Sequence, residues 1–404
     1  MSESQRLRNL LRHPLLLPFY LPSLLFSFAQ GVLAPVLPLY IADFQVSYGM
    51  IGMVLAGEEL GTLLGDVPAG ILMRHLGKRR SMLLGLGLAA LSTAALFWAP
   101  SIPIVFGCRL LSGIGRAAYS VSRHAYIADA TAVVGRGRTI AFLGGVFRLG
   151  GFSGPVIGGS VATSYGLRAP FLVFGGACLA AFAVVAIFVR IKEWESQDTV
   201  KRSPEYRPHL LKVLRQRRRI LASAGSAQLF AQMVRAGRRV IIPLYGADVI
   251  GLNPQEIGMI ISIAAGIDVV MFYPTGYIMD RFGRKFAIVP SFATQAVGMG
   301  LIPLTSSFVG LLFVTAVIGF GNGLGSGTMM TLGADLKPKG SQGEFLGLWR
   351  LIGDAGFVGA PLVVGAVADL VMLPAAALAL SASGLTAALL FALLVPETLR
   401  RGGS

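Results

Sequence analysis

Charge is scarce in this chain. Only 13% of its 404 residues are Asp, Glu, Lys or Arg, against roughly 25% in a soluble globular protein, and mean hydropathy is +0.71. The deficit runs the whole length, broken only by short charged bursts. That excludes an ordinary soluble domain and points to a helical membrane protein that crosses the bilayer many times. Cysteine is nearly absent: Cys108 and Cys178 both lie inside apolar runs, so no structural disulfide is expected. The four histidines are scattered without ligand spacing, so no metal site is expected. No Walker-type G-x-x-x-x-G-K-[ST] is present and no nucleophile–base pair stands out, so neither an enzyme nor a bound cofactor is expected. Acidic residues are few as well, 19 against 35 basic, for a net charge of +16. The basic residues sit mainly in connectors between apolar runs, which argues for membrane orientation and against a nucleic-acid partner.

A span needs about 20 apolar residues. Twelve such stretches are expected, at 15–42, 49–73, 81–99, 102–126, 139–164, 168–191, 220–246, 255–279, 286–305, 307–332, 344–370 and 374–395. The connectors with Arg74 to Arg80, Arg136 and Arg138, Arg281 to Lys285, and Lys337 and Lys339 fall on one side, together with both termini and the polar segment 192–219. The opposite connectors, Arg168 aside, are nearly free of Lys and Arg. The expectation is a multi-pass protein of the cell (inner) membrane with both termini in the cytoplasm. Residues 1–191 and 220–404 then form two six-helix bundles joined by a basic cytoplasmic linker at 192–219.

The two halves repeat. Pro68, Gly70, Met73 and Gly77 recur 206 positions later as Pro274, Gly276, Met279 and Gly283. Pro38-Leu-Tyr40 recurs as Pro243-Leu-Tyr245, Ile51-Gly-Met53 as Ile257-Gly-Met259, Ala128-Asp129 as Ala334-Asp335, and Pro155 aligns with Pro361. Two halves of like orientation imply a pseudo-two-fold axis along the membrane normal, with a substrate site near the midplane where they meet.

Several motifs stand in order along this frame. Gly276-Tyr-Ile-Met-Asp280-Arg281-Phe-Gly283-Arg284-Lys285 follows span eight; its first copy, Gly70 to Arg79, follows span two and carries Arg74 in place of the aspartate. Arg109-Leu-Leu-Ser112-Gly113-Ile-Gly115 lies in span four, and Gly150-Gly151-Phe-Ser-Gly154-Pro155-Val-Ile-Gly158-Gly159 in span five. The chain resembles the major facilitator superfamily, in particular its twelve-span drug:proton antiporters. Their longer span-five motif has a glycine where this chain has Ala141. The resemblance implies alternating-access transport of a small amphipathic molecule in exchange for protons, by a monomer among membrane lipids. It also implies gating roles for Gly70, Arg74, Gly77, Gly276, Asp280, Arg281, Gly283 and Arg284, a closing bend at Gly150, Gly154, Pro155 and Gly158, and a proton-transfer role for Arg109. Spans one, four, seven and ten line the cavity in that family, which nominates Phe26, Gln30, Arg116, Tyr119, Gln228, Gln232 and Asn322.

Physical chemistry adds its own candidates. A charge at the bilayer centre costs at least ~2.5–3.5 kcal/mol, so it is read as functional and paired. Glu58 and Glu59 lie ~13–15 Å into span two, and Arg238 ~12 Å into span seven. Arg235, Arg238 and Arg239 share one helix face. An acid–base pair between Glu58 or Glu59 and this face is expected, broken by protonation. Asp268 and Asp354 are further proton-coupling candidates, and Arg148 is also intramembrane. Asp66 is expected to be structural. Arg74 is expected to pair with Glu344 or Asp66. Two rival functions remain at this stage: carriage of an anionic metabolite or lipid on the span-seven arginines, and a transporter-like sensor that moves nothing.

Overall fold

A computed structural model describes residues 16–130, 136–189, 218–337 and 342–399. The termini, most of the basic linker, and Lys339 lie outside the described residues, as do the side chains of Arg136, Arg138, Ala141 and Glu344. Among the described residues the chain is helical, and its helices fall on the twelve expected stretches. Span one is Leu16–Leu33 continued by Leu37–Ala42. Spans two and three share one run, Tyr48–Ala94. Spans four, five and six are Ile102–Ala130, Arg136–Tyr165 and Ala169–Phe188. Spans seven, eight and nine are Arg218–Asp248, Pro254–Arg281 and Lys285–Leu301. Span ten is Phe308–Leu324 followed by Thr328–Leu336, and spans eleven and twelve are Gln342–Leu370 and Leu373–Leu393. Eight helical segments are long and apolar enough to cross a bilayer, the run Tyr48–Trp98 counting once. Spans four, five and seven are not among them: span four carries Arg109 and Arg116, span five Arg148 and many glycines, and span seven Arg235, Arg238 and Arg239.

Local chemistry sets the helix ends. Ser47 accepts a hydrogen bond from the Met50 amide at 3.3 Å and Ser307 from the Gly310 amide at 3.2 Å, as N-cap residues do. Asn253 and Glu256 cap span eight reciprocally, at 3.0 and 2.9 Å. Span one is interrupted at Ala34–Val36, where Pro35 falls.

The chain divides into two compact units. One joins the first six spans with Ile242–Ala265; the other holds the rest of span seven and the chain from Gly266 onward. The segment Ile242–Ala265, placed by sequence in the C-terminal bundle, thus clusters with the first unit. Its reason is span five: Val156 N donates to Ser262 Oγ at 3.1 Å, and Gln255 N to Thr163 Oγ1 at 3.1 Å. Glycines remove the side chains that would hold these backbones apart: a Cβ on Gly258 would sit 2.3 Å from Pro155 O.

The sequence repeat holds at the level of individual hydrogen bonds. Lys78 pairs with Asp129, and 206 positions on Arg284 pairs with Asp335 at 3.2 Å. Arg79 donates to Ala186 O, and its counterpart Lys285 donates to Ala392 O at 2.8 Å. Each basic turn therefore ties the loop to the end of one helix and the carbonyl of another in its own half. Both turns pivot on a glycine with positive φ, +78° at Gly77 and +126° at Gly283. Gly70 and Gly276 have no atom within 4 Å of where a Cβ would stand. Gly77→Ala and Gly283→Ala are expected to cost about 1–3 kcal/mol each through backbone strain. Gly283→Ala should cost more, because its Cβ would meet Glu397 Oε2 at 2.6 Å. Thermal unfolding in detergent checks this, with Gly70→Ala expected to be near neutral.

Candidate functional site

The first unit holds a buried charge network that begins from glycines. Span two lies directly on span four because small residues line the contact: a Cβ on Gly61 would stand 2.1 Å from Leu110 O, and one on Gly113 2.1 Å from Glu58 O. Such backbone approach is what small residues permit in membrane helix pairs. It places Glu58 beside Arg109 and Arg116, two helical turns apart on span four. Glu58 and Arg109 form an ion pair, each residue only 4% exposed. Arg116 Nη1 lies 3.7 Å from the other Glu58 oxygen and 3.2 Å from Glu59 Oε1. Arg116 Nε donates to Thr62 Oγ1 at 2.9 Å, and Gln30 Nε2 of span one donates to Glu58 Oε1 at 3.2 Å.

Both glutamates find arginines of span four, because the glycine contact brings that span within reach of span two. On span seven, Arg235 Nη2 donates to Gly325 O at 2.8 Å and its guanidinium lies 5.1 Å from the Phe292 ring centroid. Arg239 is 5.8 Å from the Phe357 ring, and Arg238 is half-buried. Asp354 pairs one turn back with Arg350 at 3.5 Å. Asp268 accepts from Asn322 Nδ2 at 2.9 Å. Phe26 and Tyr119 are core residues whose rings meet at 5.1 Å. Gln228 is buried against Gly353, Gln232 is half-buried near Gly356, and Arg148 is half-buried.

Arg109 carries the electrostatic tension of the network. Its Nε and Nη1 make no hydrogen bond among the described residues, so Glu58 is the anion that offsets its burial. Removing one partner of a buried ion pair costs about 3–5 kcal/mol. Protonating Glu58 would therefore leave a buried guanidinium uncompensated, and the helices could relieve this by moving.

Span five meets span one along its glycine face. A Cβ on Gly150 would lie 2.6 Å from Phe28 N, on Gly154 2.6 Å from the Gly31 Cα, and on Gly158 2.0 Å from Val32 O. Pro155 has no amide to donate, and Ser262 accepts the N–H of Val156 next to it. Thr62 and Ser262 were missed from sequence; Thr62 had a signal, standing one turn after Glu58.

The basic turn after span eight is built around residues that also escaped notice, in the Pro396-Glu-Thr398 segment after span twelve. Glu397 accepts from the Arg284 and Lys285 amides at 2.9 Å each, at the N-terminus of span nine, where negative charge is favoured. Thr398 Oγ1 donates to Asp335 at 2.8 Å, and Arg284 Nη1 donates to Asp280 at 2.9 Å. Asp280 is thus anchored by the arginine four residues on in its own turn. Arg281 lies over the Tyr277 and Phe282 rings. In the first copy Arg74 is exposed, and no ion pair to it, from Asp66 or elsewhere, is seen among the described residues. An aspartate there would face Lys78; arginine meets a like charge, and Lys78 turns to Asp129.

With this geometry in hand, comparison with known proteins is decisive on family. The model of the Major Facilitator Superfamily matches residues 20–237 and 224–403. The chain belongs to the Major Facilitator Superfamily. It is 24% identical to Multidrug resistance protein 2 of Bacillus subtilis, over 71% of this chain and 72% of that one. It is 25% identical to the class C tetracycline resistance protein of Escherichia coli, over 83% and 85%. The fold matches that of a D-xylose-proton symporter with a TM-score of 0.74 at 18% identity, over 94% of this chain and 97% of that one. The chain is therefore a multi-pass membrane transporter of this superfamily, not an enzyme.

Burial would raise the Glu397 carboxyl, but four backbone amides, from Leu399, Lys285, Arg284 and Thr398, outweigh it and hold Glu397 below its ordinary value of 4.5. A depressed carboxylate stabilises the fold above the unfolded value, and loses that contribution as pH falls through the folded one. Glu397→Gln should therefore lower the unfolding temperature at pH 7, and the gap from the parent should close as pH drops below 4.5. Parallel thermal unfolding of both proteins in detergent checks it.

Proposed function

We propose that the protein is a proton-coupled exporter of amphipathic, drug-like small molecules, working by alternating access in the cell (inner) membrane with both termini in the cytoplasm. The observation that carries this reading is the buried Glu58–Arg109–Arg116–Glu59 network, a carboxylate whose loss of charge would strand a buried arginine. The named multidrug and tetracycline resistance relatives support the substrate class. The Lys and Arg bias of the connectors supports the orientation. In the proposed cycle a proton on Glu58 breaks the pair with Arg109, and helices two and four separate until Arg109 finds water or another acceptor. A penalty of about 3–5 kcal/mol is most of the ~5.5 kcal/mol needed to move a two-state equilibrium from 1:99 to 99:1. Gln30 holds one Glu58 oxygen and Thr62 holds Arg116, so both tune how readily the pair opens. Carriage of an anion on span seven is less well supported, because Arg235 already serves Gly325 O and Phe292.

The test is transport in proteoliposomes with an imposed pH gradient, using tetracycline and a panel of lipophilic cations. Glu58→Gln should cut gradient-driven accumulation by about 10²-fold or more, the equivalent of ~3 kcal/mol, while exchange of labelled for unlabelled substrate continues. Gradient-driven accumulation by Glu58→Gln at the parent level would overturn the proposal.

A further inference from the structure

The second unit has its own polar core, with the roles exchanged. Thr62 and Arg116 of the first half align, 206 positions on, with Asp268 and Asn322; Gln30 aligns, 205 positions on, with Arg235. In the first half span two supplies the acid, span four the base and span one the amide. In the second half span eight supplies the acid, span ten the amide and span seven the base.

This core sits where span ten breaks. The helix stops at Leu324, turns through Gly325 to Gly327, with φ of +73° at Gly327, and resumes at Thr328. Span four, its repeat partner, runs unbroken from Ile102 to Ala130. A break inside a membrane frees carbonyls that must be satisfied by protein. Three of them are met by side chains. Ser291 Oγ donates to Gly321 O at 2.7 Å, Thr275 Oγ1 to Gly323 O at 2.9 Å, and Thr328 Oγ1 to Gly325 O at 2.6 Å. Arg235 also reaches Gly325 O. The carboxylate of Asp268 spans the break: it accepts from Asn322 Nδ2 at 2.9 Å on one side and from Ser326 Oγ at 3.4 Å on the other.

We propose that Asp268 is a second proton-binding carboxylate, in the second bundle, whose protonation releases the break in span ten. The ionised form accepts both hydrogen bonds and staples Asn322 to Ser326. The neutral acid still accepts from Asn322 but can meet Ser326 only by reversing or losing that bond, and neither contact keeps its charge assistance, so the staple weakens and the turn at Gly325–Gly327 loosens. Arg235 is a charged group that span seven brings to the break, through its bond to Gly325 O. Span nine presents Ser291 and Gln295, span eight itself Thr275, and span ten Asn322, Ser326 and Thr328, all uncharged in the working pH range. For its place in the cycle the inference rests on the proton-coupled reading above, but its test does not.

That test is amide hydrogen exchange of peptides covering 323–331, on the full-length protein in lipid nanodiscs. Rates are corrected for intrinsic pH dependence with an unstructured reference peptide. The parent should show about tenfold faster corrected exchange on acidification. Asp268→Asn should exchange at the fast rate at every pH, and Ser326→Ala, which keeps the carboxylate but removes the bond across the break, should lose most of the pH dependence as well. The same corrected pH profile in the parent and in Asp268→Asn would overturn the proposal, as would a parent profile that does not change with pH. Glu58→Gln leaves the exchange profile of this peptide intact if the two carboxylates titrate separately. Should Glu58→Gln also keep full proton coupling while Asp268→Asn flattens the profile, the coupling role assigned to Glu58 fails and the one assigned to Asp268 stands.

Discussion

A buried arginine must be answered by a partner, and the carboxylate that answers Arg109 ties span two to span four. Arg109 and Glu58 are each almost fully enclosed, and neither ion could be buried alone. The pair exists because Gly61 and Gly113 let spans two and four touch backbone to backbone. A side chain at either glycine would meet the facing backbone at 2.1 Å and force the helices apart. Packing and electrostatics are thus one device here: small residues set the distance, and the distance makes the charges tolerable. An ion pair that depends on close helices must break when they part.

The repeat distributes these devices unequally. At the basic turns both halves use the same bonds, with Lys78–Asp129 matched by Arg284–Asp335 and Arg79 to Ala186 O matched by Lys285 to Ala392 O. Those ties are structural and are kept in duplicate. Within the spans the copies diverge, with two acids and two bases in the first half and a single acid beside a broken helix in the second. The one exception at the turns, Arg74 against Asp280, follows from what each faces. Asp280 finds Arg284 four residues on, while Arg74 would face Lys78 and stands exposed.

Much of this architecture was legible without coordinates. Apolar run length marks the twelve spans because a bilayer demands it, and the recurrence of Gly77 as Gly283 marked the two halves because both turns need a positive φ. The intramembrane charges could be nominated one by one, since each is costly in lipid. Their partners could not be read, because depth along a helix says nothing about which neighbour it faces. Glu58 and the span-seven arginines lie at similar depth, yet Glu58 pairs with span four through a glycine contact that leaves no separate signal in a glycine-rich chain. The break at Gly325–Gly327 was likewise hidden, because glycine in a membrane helix is compatible with both continuity and interruption. The clasp by Glu397 and Thr398 lay in a short polar segment after the last span, where composition alone gives no reason to expect a partner.

The central claim is that Glu58 takes up and gives back a proton as its pair with Arg109 opens and closes. Infrared difference spectroscopy of the protein in lipid, recorded across a downward pH jump, reads that event without a substrate. A protonated-carboxyl band should appear in the parent and lose one component in Glu58→Gln, while Glu397→Gln leaves that component in place. An undiminished band in Glu58→Gln would contradict the account.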